Sequence, residues 1–307
     1  MENKYKFIVN TVAGQGAGKL ALPEIDRLAK ENNLDYEIVS TEHPGHAIAL
    51  AHQAAISGFE HVVSVGGDGT SNEVLNGLMQ AWTEGSRNTN MGIICIGRGN
   101  DFGYGFGIPT GLHEGFQILQ KNQPRYMDVG LIVGGDYPQG RYFGNGVGIG
   151  FDTVVGFEAA KLTYIHGFLN YVVAALRTIF LYFQAPTLRI EYDNKVIAQP
   201  SLMVSIMNGR RMGGGFMMAP SAVTDDGLLN LCIVGQLSRF GILKLIPQFM
   251  KGTQAAHPQV KTGNATKVHI LAMDGNLPAH ADGETICVAG KELSIEIIHA
   301  PLKILSG

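Results

Sequence analysis

Charge is scarce in this sequence. Of 307 residues only 16% are Asp, Glu, Lys or Arg, the formal net charge is −3, and no run of Lys and Arg occurs. The electrostatic footprint of a nucleic-acid binder is therefore missing. Cysteine is scarcer still. Cys95, Cys232 and Cys287 stand far apart, are odd in number and lack C-x-x-C spacing. That argues against a disulfide framework or a Cys-rich zinc site, and makes a reducing, cytoplasmic compartment the default. Long apolar runs are missing as well. The longest, residues 168–183, is interrupted by Asn170 and Arg177 and is too short to span a bilayer. The N-terminal MENKYKFIVN runs into a strand-like stretch without the apolar region of a signal peptide.

What is present is core-forming material. Hydrophobic residues make up 45%, which argues against disorder. Glycine is abundant, at 41 residues without a collagen-like period, so tight turns and close backbone approaches are expected. The length suits two domains. Residues 1–129 alternate strand and helix. Strands are expected at 7–9, 36–39, 61–65, 92–96 and 127–133. Helices are expected after the first glycine loop (carrying Leu20, Ile25 and Leu28), from Pro44-Gly45 to about 57, after residue 70, and over 111–121. Val74, Leu75, Leu78, Met79 and Trp82 share one face at helical spacing. Thr70 with Glu73 makes a capping-box pattern at that helix start. Such alternation implies a mostly parallel sheet covered on both faces. From about residue 130 to 298 strand-like runs dominate: 142–149, 188–192, 202–207, 228–234, 268–273, 285–288 and 293–298. Helices are expected at 152–162, 166–183 and 238–251. This reads as a second, mainly antiparallel domain.

The chemistry-bearing residues cluster in loops. Gly66-Gly67-Asp68-Gly69-Thr70 lies between a buried strand and a helix. Glycines there let the backbone approach a phosphate, and the helix start supplies N–H groups and a partial positive charge. An Asp among them repels phosphate unless a cation intervenes, which a Mg²⁺-nucleotide provides. The competing reading is a plain glycine turn. Gly14-Gln15-Gly16-Ala17-Gly18-Lys19 is neither a P-loop, for want of Gly at 13 and Ser or Thr at 20, nor a G-x-G-x-x-G. Gly97-Arg98-Gly99-Asn100-Asp101-Phe102 follows the next strand; its Asn100 and Asp101 can orient phosphate, metal or hydroxyl, or form an Asx turn. Asp282-Gly283-Glu284 offers a carboxylate of the kind a hydroxyl acceptor needs as general base. Asp225-Asp226-Gly227 is an acidic turn able to take a hard cation or to be only a turn. His43, His46 and His52 lack a carboxylate or Cys pattern beside them, and a zinc site is disfavoured.

In this order NTVAGQGAGK, TEHPGHAIALA, VSVGGDGTSNEVLNGL, IGRGNDFGYGFGIP, MDVG, FGNGVGIGFD, APSAVTDDGLLN and HADGETI resemble the bacterial diacylglycerol kinase-like lipid kinases, relatives of sphingosine and ceramide kinases. The resemblance spans nearly the whole chain. It implies an α/β N-terminal domain of the phosphofructokinase/NAD kinase-like type and a β-rich lipid-substrate domain. It also implies a catalytic cleft between the two and a tail, about 299–307, packing back on the first domain. It implies ATP and Mg²⁺ as cofactors. Asn10, Gly14, Gly66, Gly67, Asp68, Gly69, Thr70, Arg98 and Asn100 would lie at the nucleotide. Glu284 would be the base, linked to Asp68, with Asp101 and Asp128 at the substrate or its water network and Asp226 on a structural Mg²⁺. Arg98 departs from the Thr usual in that segment and either pairs with phosphate or blocks the usual nucleotide pose. The resemblance further implies a membrane-lipid substrate, peripheral contact with the inner membrane surface and a homodimer. Residues 168–183, Phe216-Met217-Met218 and 240–250 are the candidates for that contact, against core packing. Two alternatives stand beside the lipid kinase: a kinase for a soluble acceptor such as NAD, and a non-catalytic nucleotide- or lipid-binding regulator. Asn72-Glu73 directly after the glycine motif, and the late Asp282-Gly283-Glu284, favour the lipid branch.

Overall fold

The computed structural model describes residues 4–97, 99–162, 168–181 and 185–307. The chain forms two compact units, Met1–Val129 with His299–Gly307, and Gly130–Ile298.

The first unit runs β1 (Lys4–Val9), α1 (Ala13–Glu31), β2 (Asp35–Ser40), α2 (His46–Ile56), β3 (His61–Gly66), α3 (Asp68–Thr83), β4 (Asn90–Cys95), α4 (Asp101–Gly105), α5 (Leu112–Lys121) and the start of β5 (Pro124–Gly134). Its strands are parallel in the order β2-β1-β3-β4. A fifth parallel partner comes from the C-terminal residues, where Lys303 and Ile304 pair with Asn90 and Met91. β3 and β4 are buried along their whole length, as a parallel sheet covered on both faces requires. Phe7 stacks on Phe116 of α5 within this core, at 5.5 Å between ring centres.

Two local expectations fail here. Leu20 is 79% exposed; the buried face of α1 is Ala21, Ile25, Leu28 and Ala29. The spacing of Ile25 and Leu28 continues to residue 21, and Leu20 falls one step off it. The capping box is also absent. α3 begins at Asp68, three residues earlier than expected, so Thr70 already lies inside the helix. Glu73 reaches instead to the start of α2, accepting from the N–H groups of Gly45 (2.8 Å) and Ala47 (3.1 Å). It does there what a side-chain cap does, a service worth about 1 kcal/mol.

The second unit continues with β6 (Tyr137–Phe143), β7 (Gly146–Gly150), α6 (Phe151–Lys161), α7 (Phe168–Leu181), β8 (Thr187–Tyr192), β9 (Lys195–Met207), β10 (Leu229–Gly235), α8 (Arg239–Lys251), β11 (Val260–Ala265), β12 (Lys267–Ala272), β13 (Leu277–Ala281), β14 (Glu284–Gly290) and β15 (Glu292–Leu305). β9 serves two sheets. Its first half pairs with β8, and its second half pairs with β7 and β10. One sheet runs β9-β8-β12-β15, with β5 pairing β15 and β6 pairing β5, and the other is β14-β13-β7-β9-β10-β11. Side chains alternate across each strand. Val204, Ile206, Leu231 and Ile233 enter the core between the sheets, while Met203, Met207, Cys232 and Val234 face a second apolar layer with α6, α7 and α8.

Several elements differ from the sequence reading. The expected strand 142–149 is two strands, because Gly144 and Asn145 turn the chain between β6 and β7. β11 and β13 have no counterpart among the expected strands. Their polar and histidine-bearing sequences, VKTGNA and LPAHA, hide a strand period. Phe216 and Met218 are buried and Met217 between them is half-buried, so this stretch packs mostly into the core. Of the helix expected over 166–183, residues 166–167 and 182–183 lie outside the described residues.

Candidate active site

In the first unit β1 is flanked by β2 on one side and β3 on the other. The chain therefore reverses its winding direction between β1 and β3. In open α/β sheets the crevice at the carboxyl ends of such strands is where ligands bind. Three glycine-bearing loops meet there. After β1, Asn10 accepts from the Val12 N–H (3.2 Å) through Oδ1 and donates through Nδ2 to Thr70 Oγ1 (2.9 Å). Gly14 and Gly16 take φ values of 58° and 95°, and Gln15 between them 61°, so the opening of α1 is a left-handed loop. A β-carbon on Gly14 would lie 2.3 Å from the carbonyl oxygen of Ile96, beyond β4. One on Gly97 would lie 2.3 Å from the α-carbon of Gly67. Only glycines permit these backbones to touch.

Asp68 ties the second loop to the third. Its Oδ1 accepts from the N–H of Phe102 (2.9 Å) in the first turn of α4. Asn100, buried at φ 53°, pins the same loop: Oδ1 accepts from the Gly97 N–H and Nδ2 donates to the Gly97 carbonyl, both at 3.1 Å. Asp101 is buried as the first residue of α4. Gly67, which precedes α3, has no side chain to cap that helix. Asn10, Gly14, Gly66, Gly67, Asp68, Gly69, Thr70, Asn100 and Asp101 thus gather at one end of one sheet. Arg98 lies outside the described residues.

Asp128, fully buried on β5, takes on a task that its sequence context did not suggest. Its Oδ1 accepts from His299 Nδ1 (2.7 Å) and from the Ala300 N–H (2.8 Å). It thereby anchors the returning C-terminal residues at the point where Ala300 adopts φ 52°.

Glu284 and Asp226 belong to the second unit. Glu284 is half-buried at the start of β14. The residue two before it carries a geometry that sequence reasoning missed. Asp282 is buried, at φ 50°, and its carboxylate collects three backbone N–H groups, from Gly144 (2.8 Å), Asn145 (3.0 Å) and Gly146 (2.9 Å). The only hint in sequence is an Asp-Gly pair in a Gly-Asn-Gly-containing protein, too common a pattern to single out. Asp226 is exposed and accepts from the Leu228 N–H (3.0 Å), an Asx turn. Among the described residues no three His, Cys, Asp or Glu side chains gather as metal ligands. His43 and His46 stack at 4.9 Å, and His52 pairs with Glu84 at 2.8 Å.

Asp152 and His280 form a second buried polar group in this unit. A β-carbon on Gly148 would lie 2.5 Å from Asp152 Oδ2 and 2.4 Å from His280 Nε2. Burial pushes the Asp152 carboxyl up to about 7, against bonds from the Thr153 N–H and Ser205 Oγ that pull it down. Burial pushes His280 down to about 4.

Comparison with known proteins decides the family. Residues 4–132 match the diacylglycerol kinase catalytic domain, and residues 145–305 match the YegS C-terminal NAD kinase beta sandwich-like domain. The chain belongs to the diacylglycerol kinase-like family. Within that family, the chain is 26% identical over 285 residues to a diacylglycerol kinase of Staphylococcus saprophyticus, covering 92% of this chain and 90% of that protein. It is 29% identical over 287 residues to a diacylglycerol kinase of Staphylococcus aureus, covering 92% and 87%. A crystal structure of a diacylglycerol kinase from Bacillus anthracis superposes with a TM-score of 0.74 at 22% identity, covering 99% of this chain and 97% of that one, which speaks for the fold. An α/β unit with parallel strands followed by a β-rich antiparallel unit is the architecture found. No helix among the described residues is long and apolar enough to cross a membrane.

Proposed function

We propose that this protein is an ATP- and Mg²⁺-dependent lipid kinase that phosphorylates a hydroxyl of a diacylglycerol- or sphingosine-like lipid. The carrying observation is the convergence of three glycine loops on the β1–β3 switch point with the Asp68 carboxylate among them. A Mg²⁺-nucleotide fits this cradle. The Gly66–Thr70 backbone, at the start of a 16-residue helix without a side-chain cap, suits phosphate, and a carboxylate oxygen is the hard ligand Mg²⁺ takes. Asn10, Gly14, Arg98 and Asn100 complete the nucleotide contacts in this reading, Asp101 and Asp128 belong to the substrate or water network, and Asp226 holds a structural Mg²⁺. Bound Mg²⁺ would offset the negative charge that the phosphates bring beside Asp68.

Glu284 is the general base. It takes the proton of the lipid hydroxyl as that oxygen forms its bond to the γ-phosphorus. The bond from that phosphorus to the bridging oxygen breaks, and ADP leaves with the electron pair. The glycine-loop amides hold the phosphates in line and stabilise the charge that develops on them.

A lipid acceptor implies contact with a bilayer from the cytoplasmic side. α7 and α8 suit that task. Each buries one face, and their outward faces carry Leu176 and Phe180, and Phe240, Leu243 and Met250. Arg239 lies over the Phe180 ring at 5.7 Å, and neither helix contains an acidic residue.

The test supplies labelled ATP and Mg²⁺ with diacylglycerol, sphingosine and NAD as acceptors. Label is expected in the lipid, and Glu284→Gln should lower transfer about a hundredfold or more. Label in NAD alone, or none in any acceptor, refutes the reading.

A further inference from the structure

The turn between β6 and β7 is saturated by its neighbours in an unusual way. Its three N–H groups, from Gly144, Asn145 and Gly146, all end on the one carboxylate of Asp282. The reciprocal bond runs from the Asp282 N–H to the Gly146 carbonyl (3.0 Å). The Gly144 carbonyl accepts from Asn208 Nδ2 (2.9 Å), and the Asn145 carbonyl accepts from the N–H groups of Asn208 (2.9 Å) and Gly209 (2.7 Å). The Asn145 side chain donates to the Arg211 carbonyl (3.0 Å). Asp282 is therefore fixed from both its backbone and its side chain, inside the protein, in a left-handed conformation that L-residues rarely adopt. Gly283 follows at φ 87°, and Glu284 comes next.

Turn formation alone does not require this. An Asp-Gly pair closes a hairpin by its backbone preferences with the Asp side chain in water. Here the carboxylate is buried and spent on the β6–β7 turn, which joins strands of two different sheets. The consequence is that the exit direction of residues 283 and 284 is set against β7. We infer that Asp282 is a positioning residue that fixes where the Glu284 carboxylate stands. This inference rests on the proposed role of Glu284 as general base. A base misplaced by about 1 Å can cost roughly a hundredfold in rate, which is the scale of effect expected.

The experiment is a double-mutant cycle on the full chain, with labelled ATP and a diacylglycerol acceptor. Asp282→Asn keeps the side-chain shape but turns one acceptor oxygen into an NH₂ group that faces a backbone N–H. It should lower kcat roughly ten- to a hundredfold and leave the KM for ATP within about twofold. In a Glu284→Gln background the same change should cost less than about twofold, because a residue acting only through Glu284 has nothing left to position. Gly283→Ala provides a second route. A β-carbon there meets nothing within 4 Å, so it strains the turn at φ 87° without touching the Asp282 bonds. It should lower kcat and show the same loss of effect in the Glu284→Gln background. This keeps the test informative if Asp282→Asn does not fold. Equal fold losses in both backgrounds would make Asp282 a structural residue and overturn the inference while Glu284 remains the base. A Glu284→Gln variant as active as the parent would overturn the role of Glu284 and the inference together.

Discussion

Asp152 and His280 allow a quantitative test of the second unit's interior. Burial favours the neutral form of each. For Asp152 the folded value of about 7 stands above the ordinary 3.8, so between these the folded state holds the extra proton. Its contribution to stability is present at low pH and is lost as pH rises from about 4 to about 7. For His280 the folded value of about 4 stands below the ordinary 6.5, so in that window the unfolded state holds the extra proton. Its contribution is lost as pH falls from about 6.5 to about 4. The two proton uptakes are opposite and overlap, so their slopes cancel in the parent protein. Single substitutions uncover them. Asp152→Asn imitates the protonated carboxyl and should gain stability relative to the parent by about 2 kcal/mol as pH goes from 4.5 to 6.5. His280→Gln should gain about 2 kcal/mol relative to the parent in the opposite direction, from pH 6.5 to 4.5. The double variant should follow the parent's pH profile. Urea midpoints followed by far-UV circular dichroism at several pH values measure these differences, and comparison at each pH removes the common titration of all other groups. Single-variant differences that do not change with pH would mean that the two groups form a charged pair across Gly148, and would refute the account.

Gly97→Ala would set a β-carbon 2.3 Å from the Gly67 α-carbon. The loops must part, and the expected result is a loss of ATP binding of at least about tenfold by calorimetry, with the far-UV spectrum kept. Asp282→Ala leaves three buried N–H groups without their acceptor and should destabilise the protein by at least about 3 kcal/mol in urea unfolding, against less for Asp282→Asn. Ala300→Gly relieves a left-handed alanine at φ 52°. It should cost little or raise the melting temperature, since the strain removed, about 1 kcal/mol, is offset by the added freedom of the unfolded chain.

The sequence by itself determined the class of each unit and the positions of its chemical loops. Strand-helix alternation over the first 129 residues and strand dominance beyond it follow from hydrophobic period, which is local information. Gly66–Thr70 and Asn100 stood out because glycine and Asn in loops after strands can hold phosphate, although each also suits a plain turn, and Glu284 took its role from the family resemblance. What tertiary structure decided is where side chains spend their bonds. Glu73 looked like a cap for its own helix and serves α2. Asp128 holds residues 171 and 172 positions away. Asp282 entered only as part of the Asp-Gly-Glu run that supplies Glu284, and it gathers a turn 136 to 138 residues distant. Leu20 and residues 142–149 were misread because local period cannot say which side of a helix finds a partner, or where a turn will be stabilised from elsewhere. Hydrogen bonds of this length in sequence are settled by topology, by which loops the parallel order β2-β1-β3-β4 and the bent strand β9 bring together. No pattern in a linear chain records that.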